Sequence, residues 1–79
     1  MTPAELFRRA GVALFGELYV APLAAALGVE KNTVGKWAGG KSTVPAGVWG
    51  ELEKLLLARG EEVEATVEAI VAASDARKI

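Results

Sequence analysis

One glycine, between two short patterns of apolar residues, constrains the fold of this 79-residue chain more than any other feature of its sequence. The apolar residues before Gly28 keep helical spacing from Leu23 to Leu27. After the glycine, a second helical pattern puts Val34 and Trp37 on one face. Because glycine adopts a left-handed backbone conformation without a side-chain clash, two short helices can meet there through only a few residues. The stretch predicts a helix, a tight turn and a second helix.

Small and apolar residues at fixed positions favour close packing of these two helices. Ala24 lets the second helix approach the first, and Val29 can pack under the turn. The stretch resembles the helix-turn-helix motif of the Cro and phage-repressor family of DNA-binding proteins, on the residues Leu23, Ala24, Leu27, Gly28, Val29, Val34 and Trp37. The resemblance extends over about residues 16 to 59. It implies an all-α, lambda-repressor-like fold of four to five short helices, with double-stranded DNA as the partner.

One position departs from that family. Its members usually have glutamine where this chain has Val20, and the resemblance implies that this amide and the helix N-terminus would bind a DNA phosphate. Valine cannot do so, and Pro22 has no N–H to offer. Tyr19 either supplies a hydroxyl in place of the amide or is a half-buried core aromatic residue, which the sequence favours.

The composition limits the classes of protein that remain. The length allows one domain, residues 1 to 79, and 52% hydrophobic residues are typical of a small helical fold. The absence of cysteine and histidine excludes disulfides, zinc fingers and mechanisms that need an imidazole. The longest uncharged run, Leu18 to Val29, is too short to span a bilayer. We expect a cytoplasmic protein that is not an enzyme, with no metal, cofactor, membrane or small-molecule substrate.

The charge is unevenly distributed. A net charge of −1 argues against nucleic acid, because DNA-binding domains are usually basic. However, residues 1 to 41 hold five basic and three acidic side chains, a balance of +2, whereas residues 42 to 79 hold four and seven, a balance of −3. The predicted DNA-binding part and the remainder therefore have opposite charge.

The N-terminal residues predict a capped helix. Thr2 is a suitable N-cap, Pro3 suits the first helical position, and Glu5 completes a capping box in a helix that runs to about Gly16. The residues expected to face the core are Leu6, Phe7, Ala10 and Leu14. Arg8 and Arg9 then lie near the solvent side, either as a solvated face, which we favour, or in contact with DNA phosphates.

The second helix of the motif, from about Lys31 to Gly39, is the candidate recognition helix. If Val34 and Trp37 point inward, Asn32 and Lys36 lie on the opposite face, one turn apart. Asparagine can bond adenine, lysine can bond guanine or phosphate, and threonine can touch a thymine methyl. Glu30 is expected either to complement the helix dipole, which we favour, or to accept a hydrogen bond from a cytosine amine. The expected DNA-binding residues are Lys31, Asn32, Thr33, Gly35, Lys36 and Lys41.

A second motif overlaps this helix. The run from Gly35 to Ser42 satisfies the phosphate-loop pattern G-x-x-x-x-G-K-[ST]. That loop must follow a buried strand, whereas the residues before Gly35 have helical spacing. Gly39 and Gly40 are better interpreted as the C-terminal end of the recognition helix.

The C-terminal part predicts two further helices. Pro45 suits the first position of a fourth helix, and Gly60 is expected to divide it from a last helix over about residues 61 to 73, although one long kinked helix is an alternative. Residues 74 to 79 are expected to be a frayed end. An apolar stripe of the last helix, Val63, Val67, Ile70 and Val71, either closes the core of its own chain or forms a dimer interface.

These features together predict a function. We expect a transcriptional regulator that binds DNA as a homodimer, most simply an autorepressor of phage or mobile-element type on a palindromic operator. The alternative is a protein-interaction module in which the acidic C-terminal helix binds a partner and the helix-turn-helix is only a scaffold.

Overall fold

The fold is all-α, as predicted. The computed structural model describes residues 1 to 77, which form four helices: α1 (Pro3–Phe15), α2 (Val20–Leu27), α3 (Lys31–Ala38) and α4 (Ala46–Arg77). There is no strand in this described part of the chain. The first three helices and the start of α4 surround the core, and the rest of α4 extends away from it.

The N-terminus of α1 has the predicted capping box. The Glu5 N–H donates to the Thr2 hydroxyl and the Thr2 N–H donates to the Glu5 carboxylate, both at 3.1 Å. Pro3 occupies the first turn, where its missing N–H costs nothing. The helix ends at Phe15, and the next residue, Gly16, has a positive φ of 81°.

Aromatic residues from three elements meet in the core. Phe7 of α1 is fully buried, and its ring packs edge-on against Trp37 of α3 and Trp49 of α4, with centroid distances of 5.7 and 6.4 Å. Ala10 and Leu14 are buried as predicted. The expectation for Leu6 is wrong: this side chain is 47% exposed, because α4 packs over the Phe7 side of α1 and leaves Leu6 at the edge of the contact.

Gly11 has a structural role that its sequence context did not reveal. A Cβ atom at this position would lie 2.4 Å from Cδ1 of Tyr19, inside the van der Waals contact distance. Tyr19 is only 8% exposed and belongs to the core, in agreement with the favoured interpretation of this residue. The absence of a side chain at Gly11 is therefore what lets the Tyr19 ring pack against α1.

The fourth helix corrects the expected break. It is continuous from Ala46 to Arg77, as in the alternative of one long helix, so Gly60 does not divide it, and it continues past the expected end near residue 73. Of the expected frayed end, Lys78 and Ile79 lie outside the described residues. Every residue from Leu57 to Asp75 is exposed. The stripe formed by Val63, Val67, Ile70 and Val71 therefore does not close the core of its own chain.

The long helix determines the shape of the molecule. The radius of gyration is 16.0 Å, compared with about 12 Å for a compact domain of this length. The extents are 56 × 25 × 21 Å. Within residues 1 to 77, no single helix is long and apolar enough to cross a membrane, and only α1 and α2 taken together, bent by 94°, meet that criterion.

Candidate nucleic-acid interface

The turn between α2 and α3 is built as the sequence predicts. Gly28 has left-handed dihedral angles, φ 70° and ψ 32°. Its N–H donates to the Ala25 carbonyl at 3.2 Å, and the Val29 N–H donates to the Ala24 carbonyl at 3.0 Å. These two bonds satisfy carbonyl groups that the end of α2 would otherwise leave without partners. The chain then enters α3 after only three residues.

The inner side of this helix pair is buried and the outer side of α3 is exposed. Leu23 and Val34 are fully buried, and Trp37 is 6% exposed. Glu30 precedes α3 with an extended backbone, and its carbonyl accepts from the N–H groups of Thr33 and Val34 at 3.1 and 3.2 Å. The Glu30 side chain makes no capping hydrogen bond. The buried residues thus fix which side of α3 a ligand could reach.

Five of the six residues expected to bind DNA lie around one shallow concavity, which we call the lysine concavity. It has a volume of about 520 Å³, and its lining residues are Val20, Lys31, Asn32, Gly35, Lys36 and Lys41. All except Val20 are exposed. The lining carries three positive charges and one carboxamide. This combination suits a surface that bears phosphates and base edges.

The sixth expected residue, Thr33, differs from the others. It is half-buried and does not line the lysine concavity. Thr33 directly precedes the fully buried Val34, so its side chain lies at the edge between the core and the exposed side of α3. The structure therefore separates Thr33 from the other five.

Lys41 joins the site because of the way α3 ends. Gly40 has a φ of 74°, and the N–H groups of Gly40 and Lys41 donate to the carbonyls of Trp37 and Lys36 at 3.3 and 2.9 Å. The Ser42 N–H also donates to Lys36, at 3.3 Å. This turn folds the chain back so that Lys41 lies beside Lys36 in the concavity.

The same hydrogen bonds argue against the phosphate-loop interpretation. In a phosphate loop the backbone N–H groups point at the phosphates. Here the N–H groups of Gly40, Lys41 and Ser42 are bonded to α3 carbonyls, and Gly35 lies inside a helix. The loop geometry that the motif requires is not present.

Val20 forms the apolar part of the concavity, at the start of α2. The N–H of Leu23 is bonded to the Tyr19 carbonyl at 2.8 Å, and Pro22 has no N–H. The free N–H groups of the first turn are therefore those of Val20 and Ala21. A ligand in the concavity would find few hydrogen-bond donors at the start of α2. The lysines of α3 and of its C-terminal turn would therefore provide most of the interactions with it.

Arg8 has a contact that the sequence did not reveal. Its guanidinium Nη1 donates to the carbonyl of Ala38, the last residue of α3. A cation at a helix C-terminus also stabilises the helix dipole. Arg8 thus holds the end of α3, whereas Arg9 has no such contact among the described residues. Arg8 and Ala38 are 30 positions apart in the sequence, so no local pattern could have indicated the hydrogen bond between them.

Comparisons with protein-family models, with curated proteins and with solved structures find no match for this chain.

Proposed function

We propose that this chain is a sequence-specific DNA-binding transcriptional regulator, acting as a homodimeric repressor, most simply of its own gene, on a palindromic operator. The observation that supports the proposal is the lysine concavity. Its cationic and amide side chains stand on the outer side of a helix whose inner side is fixed by burial.

The chemistry of the site suits the major groove of DNA. An α-helix fits into that groove, where asparagine can bond the N6 and N7 atoms of adenine and lysine can donate to guanine. Asn32 and Lys36 are one turn apart on α3 and could contact neighbouring base pairs. Lys31 and Lys41 would bind phosphates and fix the orientation of the helix. Gly35 adds no side chain between them, which lets the helix backbone approach the DNA closely.

A dimer would compensate for the small size of one interface. A single lysine concavity with three lysines makes few contacts, and the chain has a net charge of −1. Two copies would set their α3 helices in successive major grooves about 34 Å apart. The exposed stripe of Val63, Val67, Ile70 and Val71 on α4 is the proposed dimer interface.

The experiment is selection from a random-sequence pool of double-stranded DNA at physiological salt, followed by sequencing of the retained fraction. We expect an inverted repeat with half-sites about one helical turn apart. A matched selection with the Lys36→Ala, Lys41→Ala double variant is expected to enrich nothing. If the folded wild-type chain also enriches nothing, the proposal is wrong.

The alternative function, a protein-interaction module, is favoured by one observation. The exposed half of α4 is acidic and apolar rather than basic. The salt dependence of DNA binding distinguishes the two. A protein that neutralises several phosphates loses affinity steeply as salt rises, with a slope of about −0.9 per phosphate on a logarithmic plot. Binding with no slope, or no binding at all, would favour the interaction module.

A further inference from the structure

An apolar cleft lies where α1 crosses the start of α4. Its volume is about 330 Å³, and it is lined by Leu6 and Ala10 from α1 and by Trp49, Glu53, Leu56 and Leu57 from α4. Leu6 and Leu57 are 47% and 64% exposed. Leucine side chains left this exposed beside a cleft are typical of a surface that another chain covers.

The cleft is continuous with the exposed stripe of α4. Along one side of this helix, residues three and four positions apart form a continuous row, which we call the seam: Glu53, Leu56, Gly60, Val63, Val67 and Ile70. This is the spacing of residues that face a second helix. The seam begins in the cleft and continues beyond the core, from Leu56 to Ile70, for about 21 Å. The apolar surface is therefore one strip, half of it a cleft and half of it a projecting helix.

We propose that the projecting halves of α4 from two copies of this chain pair in an antiparallel dimer, in which the cleft of each copy receives the end of the other copy's helix. This inference deepens the proposed function, because it assigns the geometry of the dimer on which that function depends. Each copy offers one helix and one cleft, so a two-fold arrangement covers both features of both copies.

The area of the surface favours this arrangement over pairing of the stripes alone. A stable interface removes about 1,200–2,000 Å² from solvent. A valine or isoleucine side chain has roughly 100 Å² of apolar surface, so four half-exposed side chains on each of two copies supply roughly 400 Å². The stripe alone is too small. The end of each helix, laid against the opposite cleft, adds the exposed parts of Leu6 and Leu57 on both copies.

Size and charge along the seam favour the antiparallel direction. With the two-fold axis near Ala65, Gly60 faces Ile70 of the second copy, so the largest seam residue outside the cleft meets the residue with no side chain. Val63 faces Val67, and the exposed Leu57 lies beside the exposed Val71 of the second copy. In a parallel pair, Glu53 would instead face Glu53 within the seam, and Gly60 would face Gly60 across a gap.

The absence of cysteine from the chain allows a direct test of direction. Two full-length single-cysteine variants, L57C with an affinity tag and V71C without one, are mixed in equal amounts and oxidised. We expect the mixed disulfide dimer to exceed either homodimer by at least about tenfold, since antiparallel pairing brings only positions 57 and 71 together. The matched control is the pair A58C and A72C, whose positions point away from the seam.

Two results would overturn the proposal. Homodimers of L57C and of V71C in excess of the mixed species would mean a parallel pair. Disulfide yields no higher than those of the A58C and A72C pair would mean that a second copy does not occupy the cleft.

A second measurement does not depend on cysteine chemistry. Sedimentation of I70E is expected to show a dimer dissociation constant at least about tenfold weaker than that of A69E, which adds the same charge on the neighbouring, outward position. Equal dissociation constants would also contradict the proposal. Both residues are exposed in the single chain, so neither change disturbs the core. Because these experiments contain no DNA, their failure would count against the dimer geometry and not against DNA binding.

Discussion

Lys36 is the side chain whose removal most directly tests the lysine concavity. It extends from the exposed side of α3 beside Asn32 and Lys41. Lys36→Ala is expected to lower operator affinity by at least about 1 kcal/mol, since a base or phosphate contact of lysine has this magnitude. Fluorescence anisotropy of labelled operator DNA measures the change. Lys54→Ala, which removes an exposed lysine from α4, should keep the wild-type affinity, and equal affinities for the two variants would mean that the wrong side of α3 has been assigned.

Alanine substitutions at Gly11 and at Gly50 should change the free energy of unfolding in opposite directions. Alanine is a better helix former than glycine by about 1 kcal/mol. Gly50 has open space around its would-be Cβ, so Gly50→Ala should raise the free energy of unfolding by up to this amount. At Gly11 the new methyl would meet the Tyr19 ring at 2.4 Å, so Gly11→Ala should lower it by about 1–3 kcal/mol. Thermal unfolding followed by circular dichroism distinguishes these outcomes, and a stabilised Gly11→Ala protein would contradict the packing of Tyr19.

Arg8 and Arg9 form a matched pair for testing a role in holding α3. Arg8→Gln removes the hydrogen bond to the Ala38 carbonyl and the charge at the end of α3, and we expect it to cost about 1 kcal/mol of stability. Such a loss corresponds to a fall of about 4–8 °C in melting temperature for a domain of this size. Arg9→Gln removes the same charge without that bond, so its melting temperature should stay near the wild-type value.

DNA binding separates this role from a phosphate contact. If Arg8 acts only by holding α3, Arg8→Gln lowers operator affinity without changing the slope of affinity against salt, because no counterion-releasing contact is lost. A slope reduced by about one phosphate would mean instead that Arg8 touches DNA directly.

At the scale of single elements, the start of α1 should make stability depend on pH. The backbone N–H of Thr2, and then its hydroxyl, hold the pKa of the Glu5 carboxyl below its ordinary value of 4.5. A lowered pKa in the folded chain means that the ionised form stabilises the fold. This contribution is present above pH 4.5, the value in the unfolded chain, and is lost as the pH falls through the lower folded value.

The corresponding variant removes the titration but keeps the cap. Glutamine can also complete a capping box. As the pH is lowered from about 6 to about 3, the melting temperature of Glu5→Gln should therefore fall less than that of wild type. Glu51→Gln, the control, removes a carboxyl that makes no capping bond, and its melting temperature should fall over this pH range as much as that of wild type. Identical pH curves for wild type and Glu5→Gln would show that ionisation of Glu5 does not contribute to stability.

The features that the sequence predicted correctly are those decided by neighbouring residues. The capping box needs only Thr2 and Glu5, and the turn needs the left-handed conformation that Gly28 adopts readily. The exposed side of α3 follows from helical rotation once Val34 and Trp37 are assigned to the core, which is why five expected residues meet in one concavity. Whether that concavity binds DNA is a separate question, which the operator selection addresses.

The features that the sequence missed depend on contacts between distant residues. Leu6 has the same helical spacing as the buried residues of α1, and only the position of α4 leaves it exposed. The bond from Arg8 joins residues 30 positions apart. A glycine such as Gly60 lowers helix stability by only about 1 kcal/mol relative to alanine, and the continuous hydrogen bonds of the 32-residue α4 can offset this loss. A break there would have required a partner element to turn the chain, and nothing in the described structure packs against that part of α4.

At the scale of the whole molecule, the burial of side chains divides the chain at Leu56. Among residues 1 to 75, all buried side chains lie between Phe7 and Leu52, and the half-buried ones end at Leu56. The lysine concavity belongs entirely to the part before this point, and the acidic, apolar projection belongs to the part after it. One continuous helix joins the two, so the orientation of a partner bound to the projection would be transmitted rigidly to the core that carries α3.

This division predicts the result of removing the projection. Every residue from Gly60 to Asp75 is exposed in the single molecule, so a chain ending at Arg59 should have a melting temperature at low protein concentration within a few degrees of the wild-type value. Dimerisation adds stability by mass action, and only the full chain should therefore melt at a higher temperature as its concentration rises. Differential scanning calorimetry at several concentrations measures both effects.

The shortened chain should also lose most of its operator affinity. It keeps the lysine concavity but can bind only one half-site at a time, so the affinity gained by linking two sites, about 10²–10⁴-fold, is lost. Binding to a single half-site should be unchanged, because α3 and its supporting core are intact. A shortened chain that unfolds at all concentrations would mean that the projection stabilises its own domain. Undiminished affinity for the full operator would mean that α4 has no part in pairing the two copies.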